Sequence, residues 1–185
     1  EVSGETLPAL LVSDDFEAAG LGAPWASACD DPSVWGHAQG RLVAADAGGT
    51  RHCALHAASA AADQKVRANL SHDGWPSPLG NAQFGLIGRY QDAQTYVVGA
   101  LRPTTINGAP FRRAVIEVHH PSLPNGVLEV GSSPVLSLME AEGWFPSALT
   151  SGQGEPATLE LELSGRTLRL FVGHGGQRRM LAAGL

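Results

Sequence analysis

The stretch GLIGRYQDAQTYVVGAL, residues 85–101, carries two apolar runs on either side of a short polar segment. Side chains in each run alternate with a period of two, which is typical of paired β-strands. A four-residue turn at 91–94 would set Arg89 opposite Tyr96 on the neighbouring strand. The stretch therefore predicts a β-hairpin in which Arg89 and Tyr96 share one face.

The predicted hairpin has two different faces. One is apolar and suits the space between two sheets, with Phe84, Leu86, Gly88, Tyr90, Val97, Gly99 and Leu101. The other contains Gln83, Gly85, Ile87, Arg89, Tyr96, Val98 and Arg102. The next predicted strand, residues 111–120, alternates in the same way. Together these strands predict a polar sheet face with Arg89, Tyr96, Arg102, Arg113, Glu117 and His119.

Short alternating segments recur along the whole chain, among them 7–16, 135–143 and a hairpin within 34–46, and predict about a dozen strands. Turn signals such as Pro124-Asn125-Gly126 lie between them. The 185 residues include 23 Gly and 12 Pro, and only 16% are charged, which fits many strands joined by tight turns. No change in composition marks a second domain. The sequence therefore predicts one all-β domain over residues 1–185, a two-sheet antiparallel β-sandwich or jelly roll.

The net charge of −6 disfavours nucleic acid and anionic membranes as partners. No apolar run approaches the ~20 residues that a membrane-spanning helix needs. The sequence begins at Glu1 and shows no signal peptide, so we expect a processed protein or a module of a larger chain.

Two cysteines, Cys29 and Cys53, lack the spacing of metal ligands. In an exported protein they would form a disulfide that stabilises the fold by about 3.5 kcal/mol in the chain-entropy model. The alternative is a pair of free thiols in a reducing compartment. The sequence favours the disulfide.

Three stretches, in chain order, carry a family resemblance. They are Ser13-Asp14-Asp15-Phe16 with Trp25 and 40–42, then 85–92 with Tyr96, and finally 159–168. They resemble the concanavalin A-like, laminin-G-like jelly rolls of lectins, glucanases, and surface or phage structural proteins. The resemblance implies the fold, a glycan or polysaccharide partner, and an extracellular, secreted or virion-surface location. It does not choose a function, because this fold carries enzymes, lectins and inert modules.

The chain departs from that family at its end. The family has a further strand after the last hairpin, whereas residues 182–185 leave room for one short strand at most. We therefore expect either a trimmed domain or a sheet completed by a neighbouring domain or subunit of the parent assembly. An uncovered edge would be an association surface.

The predicted polar face has the residue types of a sugar site. Arg and Glu form directional hydrogen bonds with hydroxyl groups, and an aromatic ring stacks on the apolar face of a pyranose. Trp75 and Trp144, in Gly- and Pro-framed loops, are further candidates for a stacking platform. The alternatives are a cross-strand cation–π pair between Arg89 and Tyr96, a solvated charge cluster around Glu117, and tryptophans tucked under the rim.

Catalysis receives less support. Glucanases of this fold carry Glu-x-Asp-x-Glu on one strand, whereas Glu160-Leu161-Glu162 has only two acids. Its flanking leucines indicate an amphipathic strand with a solvated outer face. A lyase site would use Tyr96, Arg113 and His119, but its motifs are missing. A polysaccharide hydrolase or lyase therefore stays an alternative to a non-catalytic module.

No cofactor is predicted, although calcium would fit the family. Candidate oxygen donors are Asp14, Asp15, Asp30, Asp31 and Asp92, and they form no recognisable loop. His119 and His120 would point to opposite faces of a strand, so they cannot share one ion. The sequence thus leaves three functions: a carbohydrate-binding or adhesion module, an enzyme of the same groove, and a purely structural assembly domain.

Overall fold

The computed structural model describes residues 25–29, 35–37, 42–44, 52–56, 61–70, 84–106, 109–133, 157–174 and 176–185. The backbone divides into two compact units, residues 1–59 and 60–185. The prediction of a single domain over 1–185 stays a prediction. The described residues contain no helix that is long and apolar enough to cross a membrane.

The N-terminal unit contains two antiparallel strand pairs among its described residues. Strand β1 (Trp25–Cys29) pairs with β4 (His52–His56), and β2 (Trp35–His37) pairs with β3 (Leu42–Ala44). The second pair is the hairpin predicted within residues 34–46.

The two cysteines lie on neighbouring strands of this unit. The register sets Cys53 opposite Ala28 and Cys29 opposite His52, so the cysteines are offset by one position. Their side chains lie outside what the structure describes. The disulfide stays a prediction.

The second unit is built from eight described strands, each paired antiparallel to its neighbours. They are β5 (Gln64–Leu70), β6 (Phe84–Asp92), β7 (Thr95–Ile106), β8 (Ala109–His119), β9 (Val127–Ser133), β10 (Ala157–Ser164), β11 (Thr167–His174) and β12 (Gln177–Gly184). Sheet A has the order β12-β11-β10-β5 and sheet B the order β6-β7-β8-β9. The two sheets pack together and confirm the predicted all-β, two-sheet sandwich.

The core between the sheets follows the period-two pattern. On β10, Leu159, Leu161 and Leu163 are at most 1% exposed and pack in one apolar cluster with inward residues of sheet B. Glu160 and Glu162 alternate with them and are partly exposed. This confirms the predicted amphipathic strand.

Two glycines of sheet B let the sheets approach closely. A Cβ atom at Gly88 would lie 2.5 Å from Leu163 Cδ1, and one at Gly99 would lie 2.8 Å from Leu161 Cδ1. The leucines of β10 therefore occupy the space that larger residues on β6 and β7 would need. The predicted inward position of both glycines is correct.

The predicted four-residue turn between β6 and β7 is wrong. Asp92 pairs with Thr95, so the turn contains only two residues, Ala93 and Gln94. The Asp92 side chain stabilises this turn, because its Oδ1 accepts the backbone N–H of Gln94 at 2.8 Å. A shorter turn leaves surplus residues in β6, and the strand absorbs them as a bulge.

The bulge moves the side chains of Arg89 and Tyr90 away from the sheet faces that were predicted for them. The register shifts between Gly88 and Asp92, and Arg89 adopts a left-handed backbone with φ 50°. Tyr90, predicted in the core, instead packs with the outer face of sheet B, its ring centroid 6.1 Å from that of Tyr96. The predicted Arg89–Tyr96 pair is therefore wrong, and the Arg89 side chain reaches sheet A instead.

The two sheets also meet along one side of the sandwich. A Cβ atom at Gly131 of β9 would lie 2.3 Å from the backbone oxygen of Ala183 in β12. One at Gly184 would lie 2.9 Å from the Val130 backbone oxygen. Glycine at these positions allows the edge strands β9 and β12 to approach each other.

Several predictions concern residues outside the described part of the chain. These are the strands predicted at 7–16 and 135–143, the loops of Trp75 and Trp144, and the aspartates at 14, 15, 30 and 31. They stay predictions.

Candidate binding site at the end of the sandwich

The outer face of sheet B brings five of the predicted ligand residues together. Tyr96 is opposite His119, Arg102 is opposite Arg113, and Glu117 lies between these two pairs in the register of β7 and β8. The prediction that these residues share a face is correct.

Four charged side chains on this face form a continuous chain of ion pairs. Arg102 donates to Glu117 at 2.7 Å and to Glu129 at 2.7 Å. Arg113 donates to both oxygens of Glu129, at 3.0 and 2.8 Å. The two positive guanidinium groups therefore balance the charge of the two carboxylates. The sequence patterns did not identify Glu129 as a member of this network.

The side chains of this network are more buried than those that line an open groove would be. The Glu117 side chain is only 8% exposed, and those of Arg102 and Arg113 are each 28% exposed. Beside them, Val98, Ala100 and Val115 form a buried cluster with Tyr96 on the same face. A ligand on this face would have to replace hydrogen bonds that the protein already makes.

The aromatic residues lie at the end of the network nearest the β6–β7 turn. The rings of Tyr96 and His119 stack with centroids 4.2 Å apart and planes inclined by 11°. His119 Nε2 lies 3.5 Å from a Glu117 oxygen. Tyr96 is 4% exposed, so most of its ring is committed to packing.

Arg89 joins the two sheets at the same end of the sandwich. Its Nε donates to the backbone oxygen of Ala62 and its Nη2 to that of Gly165, both at 2.6 Å. Asp63 lies 3.6 Å from the same Nη2 and accepts the backbone N–H of Gly165 at 2.7 Å. This clasp explains the strained backbone of Arg89, because the bulge aims the side chain at sheet A.

A cleft of about 450 Å³ opens beside this clasp. It lies among the β6–β7 turn, the β8–β9 connection and the β10–β11 turn. Its apolar wall consists of Val97, Val118, Leu123, Leu168 and Leu185. Its polar wall includes Arg89, Gln91, Thr95, Tyr96, His119, His120, Ser122 and Arg166. Three predicted ligand residues, Arg89, Tyr96 and His119, therefore border one concave site.

The β8–β9 connection supplies hydrogen-bonding groups to this cleft. His120 is exposed, and its Nδ1 accepts the backbone N–H of Ser122 at 3.2 Å. The same Nδ1 lies 2.6 Å from Ser122 Oγ, and a ring whose Nδ1 accepts carries its N–H on Nε2, where it can donate to a ligand. The connection is fixed by a turn at Pro124–Gly126, where the Gly126 oxygen accepts the His120 N–H at 3.0 Å.

His120, Ser122 and Arg166 were missed as site residues by the sequence patterns. Alternation describes positions within a strand, whereas these three residues lie where strands end. Their only sequence signal is that each lies beside a turn, with Pro121 after His120 and Gly165 before Arg166. Their convergence depends on how the sheets pack.

The described residues contain no group of three or more His, Cys, Asp or Glu side chains that could hold a metal ion. Of the predicted calcium donors, Asp92 lies among the described residues. Its Oδ1 accepts the backbone N–H of Gln94 within the β6–β7 turn. A calcium site at the other aspartates stays a prediction.

Comparisons with protein-family models, curated proteins and solved structures found no match. The two four-stranded antiparallel sheets therefore define the class of protein by fold alone, as an all-β sandwich.

Proposed function

We propose that this chain is a non-catalytic carbohydrate-binding module of the β-sandwich class, and that it binds its ligand in the cleft at the end of the sandwich. The observation that carries the proposal is a concave site that is bordered by the predicted residues Arg89, Tyr96 and His119 and whose walls combine hydrogen-bonding and apolar groups. The cleft volume of about 450 Å³ falls within the range of ~300–1,000 Å³ that is common for small-ligand sites.

The chemistry of the walls supports a saccharide. A sugar presents hydroxyl groups along its edge and C–H groups on its faces. His120, Ser122 and Gln91 provide side-chain donors and acceptors for hydroxyl groups. Val118 and Leu168 provide an apolar surface for C–H groups.

The same proposal has three further parts: a concanavalin A-like family, an extracellular or virion-surface location, and neighbouring domains as partners. They rest on the sequence resemblance and on the sandwich fold.

A structural assembly domain is the second candidate, and the ion network of sheet B favours it. Each of the four side chains Arg102, Arg113, Glu117 and Glu129 already has a charged partner within the protein. Such a network fixes side-chain positions and stiffens the sheet without an exogenous ligand. The same pairing supports a non-catalytic module, because Glu117 is held by Arg102 and is poorly placed for acid–base work on a substrate.

The test is a glycan-array screen followed by titration calorimetry. We expect binding to at least one saccharide, with a loss of about fivefold in His120→Ala, since one directional hydrogen bond to a ligand is worth about 1 kcal/mol. Arg169→Ala, on the outer face of sheet A, is the matched control and should bind normally.

The absence of binding to any glycan would overturn the carbohydrate proposal and leave the assembly domain. Release of reducing or unsaturated sugar ends by the wild-type protein would favour the enzyme instead.

A further inference from the structure

The cleft has an uneven distribution of charge. Arg89 and Arg166 border it, together with His119 and His120, and none of its described lining residues is Asp or Glu. Asp63 is not among the lining residues of the cleft, and its carboxylate partly balances the charge of Arg89, at 3.6 Å from Nη2. Arg166 is exposed at the β10–β11 turn and makes no ion pair with a residue that the structure describes.

Arg166 therefore supplies positive charge that no acidic residue in the described part of the chain neutralises. A guanidinium group presents parallel N–H donors that match the two oxygens of a carboxylate. The imidazole of His120 adds a ring N–H donor on the opposite connection. A ligand anion between these groups would gain hydrogen bonds without displacing an internal partner.

The second feature of the cleft that bears on its ligand is the apolar wall. Val97, Val118 and Leu168 lie at the end of the inter-sheet core, and Leu123 of the β8–β9 connection lines the same cleft. The C–H groups of a sugar ring would cover only part of this wall. A methyl-bearing substituent such as an acetamido group would bury its methyl group there, at roughly 25 cal/mol per Å² of apolar area removed from water.

We propose that the cleft selects an acidic, acetamido-bearing sugar, with the carboxylate on Arg166 and the acetyl methyl group on the apolar wall. This inference rests on the proposed carbohydrate function and names its substrate class. The paired Arg89 has a different role, since its hydrogen bonds to Ala62 and Gly165 hold the cleft in shape.

The experiment compares four methyl glycosides by titration calorimetry: N-acetylneuraminic acid, N-acetylglucosamine, glucuronic acid and glucose. These probes combine presence and absence of the carboxylate with presence and absence of the acetamido group. N-Acetylneuraminic acid should bind most tightly. Its affinity should fall with rising salt, because an exposed charge pair is screened.

Two substitutions separate the two features. Arg166→Ala should weaken both acidic sugars about tenfold and leave both neutral sugars unchanged, as expected for one exposed charge-assisted contact. Leu123→Ala should reduce the preference for the acetylated sugars. Arg169→Ala removes the same charge from the outer face of sheet A and should change none of the four affinities.

Equal binding of acidic and neutral sugars, or equal effects of Arg166→Ala and Arg169→Ala, would overturn the acidic preference and leave the carbohydrate function standing. Glucuronic acid binding as tightly as N-acetylneuraminic acid would overturn the acetamido preference. The absence of binding to all four probes and to every glycan of the array would contradict the proposed function itself.

Discussion

The Arg102 guanidinium donates to the Glu117 carboxylate at 2.7 Å, and the Glu117 side chain is only 8% exposed. A buried carboxylate that loses its partner keeps its desolvation cost without the compensating attraction. Glu129 takes the second N–H group of Arg102 but keeps Arg113 when Arg102 is removed. Removing Arg102 therefore leaves the charge of Glu117 less well compensated than that of Glu129.

Arg102→Met should lower the free energy of unfolding by about 2 kcal/mol, less than the ~3–5 kcal/mol of a fully buried pair, because Arg102 is 28% exposed. Combining it with Glu117→Gln should restore part of the loss, since no buried charge is then left unpaired. Urea denaturation measures both changes.

Arg169→Met is the matched control for this prediction. The Arg169 side chain is 48% exposed and lies 4.0 Å from Glu162, so its loss should cost less than about 0.5 kcal/mol. Equal destabilisation by Arg102→Met and Arg169→Met would show that the sheet B network does not contribute as its burial implies.

Arg89 should show an unusual order of substitutions. Its φ of 50° is in the left-handed region, where a non-glycine residue carries about 1 kcal/mol of strain. Arg89→Ala loses the hydrogen bonds to Ala62 and Gly165 and keeps that strain, whereas Arg89→Gly loses the same bonds and releases it. We therefore expect Arg89→Gly to be more stable than Arg89→Ala by about 1 kcal/mol.

Thermal or urea unfolding of the two variants tests this order. The same pair of substitutions at Arg166, which has no left-handed backbone, provides the comparison. If alanine is the more stable replacement at Arg89 as well, the bulge is not strained.

Alternation in residues 85–101 was sufficient to predict which face of the hairpin enters the core, up to Gly88. Beyond Gly88 it fails, because the strand contains a bulge whose position depends on the two-residue turn and on bonds to distant residues. Arg89 contacts Ala62 and Gly165, which are 27 and 76 positions away along the chain. No local pattern encodes partners at that distance.

The candidate site was predictable only in part for the same reason. Strand periodicity put Tyr96, Glu117 and His119 on one face. It does not distinguish a solvated face from a covered one, and Val115 on this face is 0% exposed. The cleft arises where three connections meet, so its residues His120 and Arg166 follow from the packing of the sheets and from no single strand.

The predicted disulfide between Cys29 and Cys53 has a direct test. Thiol titration of the denatured, unreduced protein should detect no free thiol. Reduction should lower the free energy of unfolding by about 3.5 kcal/mol in the chain-entropy model. A double Cys29→Ser, Cys53→Ser variant should lose about as much and should not respond to reductant. Two titratable thiols in the protein from an oxidising compartment would contradict the disulfide.

The close approach of β9 and β12 makes a steric prediction. A Cβ atom at Gly131 would lie 2.3 Å from the Ala183 backbone oxygen, and a strand backbone cannot move aside as a flexible side chain can. Gly131→Ala should therefore destabilise the protein by about 1–3 kcal/mol, as overpacking does. Gly173→Ala is the matched control, because its nearest neighbour would be Thr158 Cβ at 3.5 Å, an ordinary contact. Urea denaturation should show a clear loss in Gly131→Ala and a change within about 0.5 kcal/mol in Gly173→Ala. Similar stabilities of the two variants would mean that the edges of the sheets lie further apart than the structure has them.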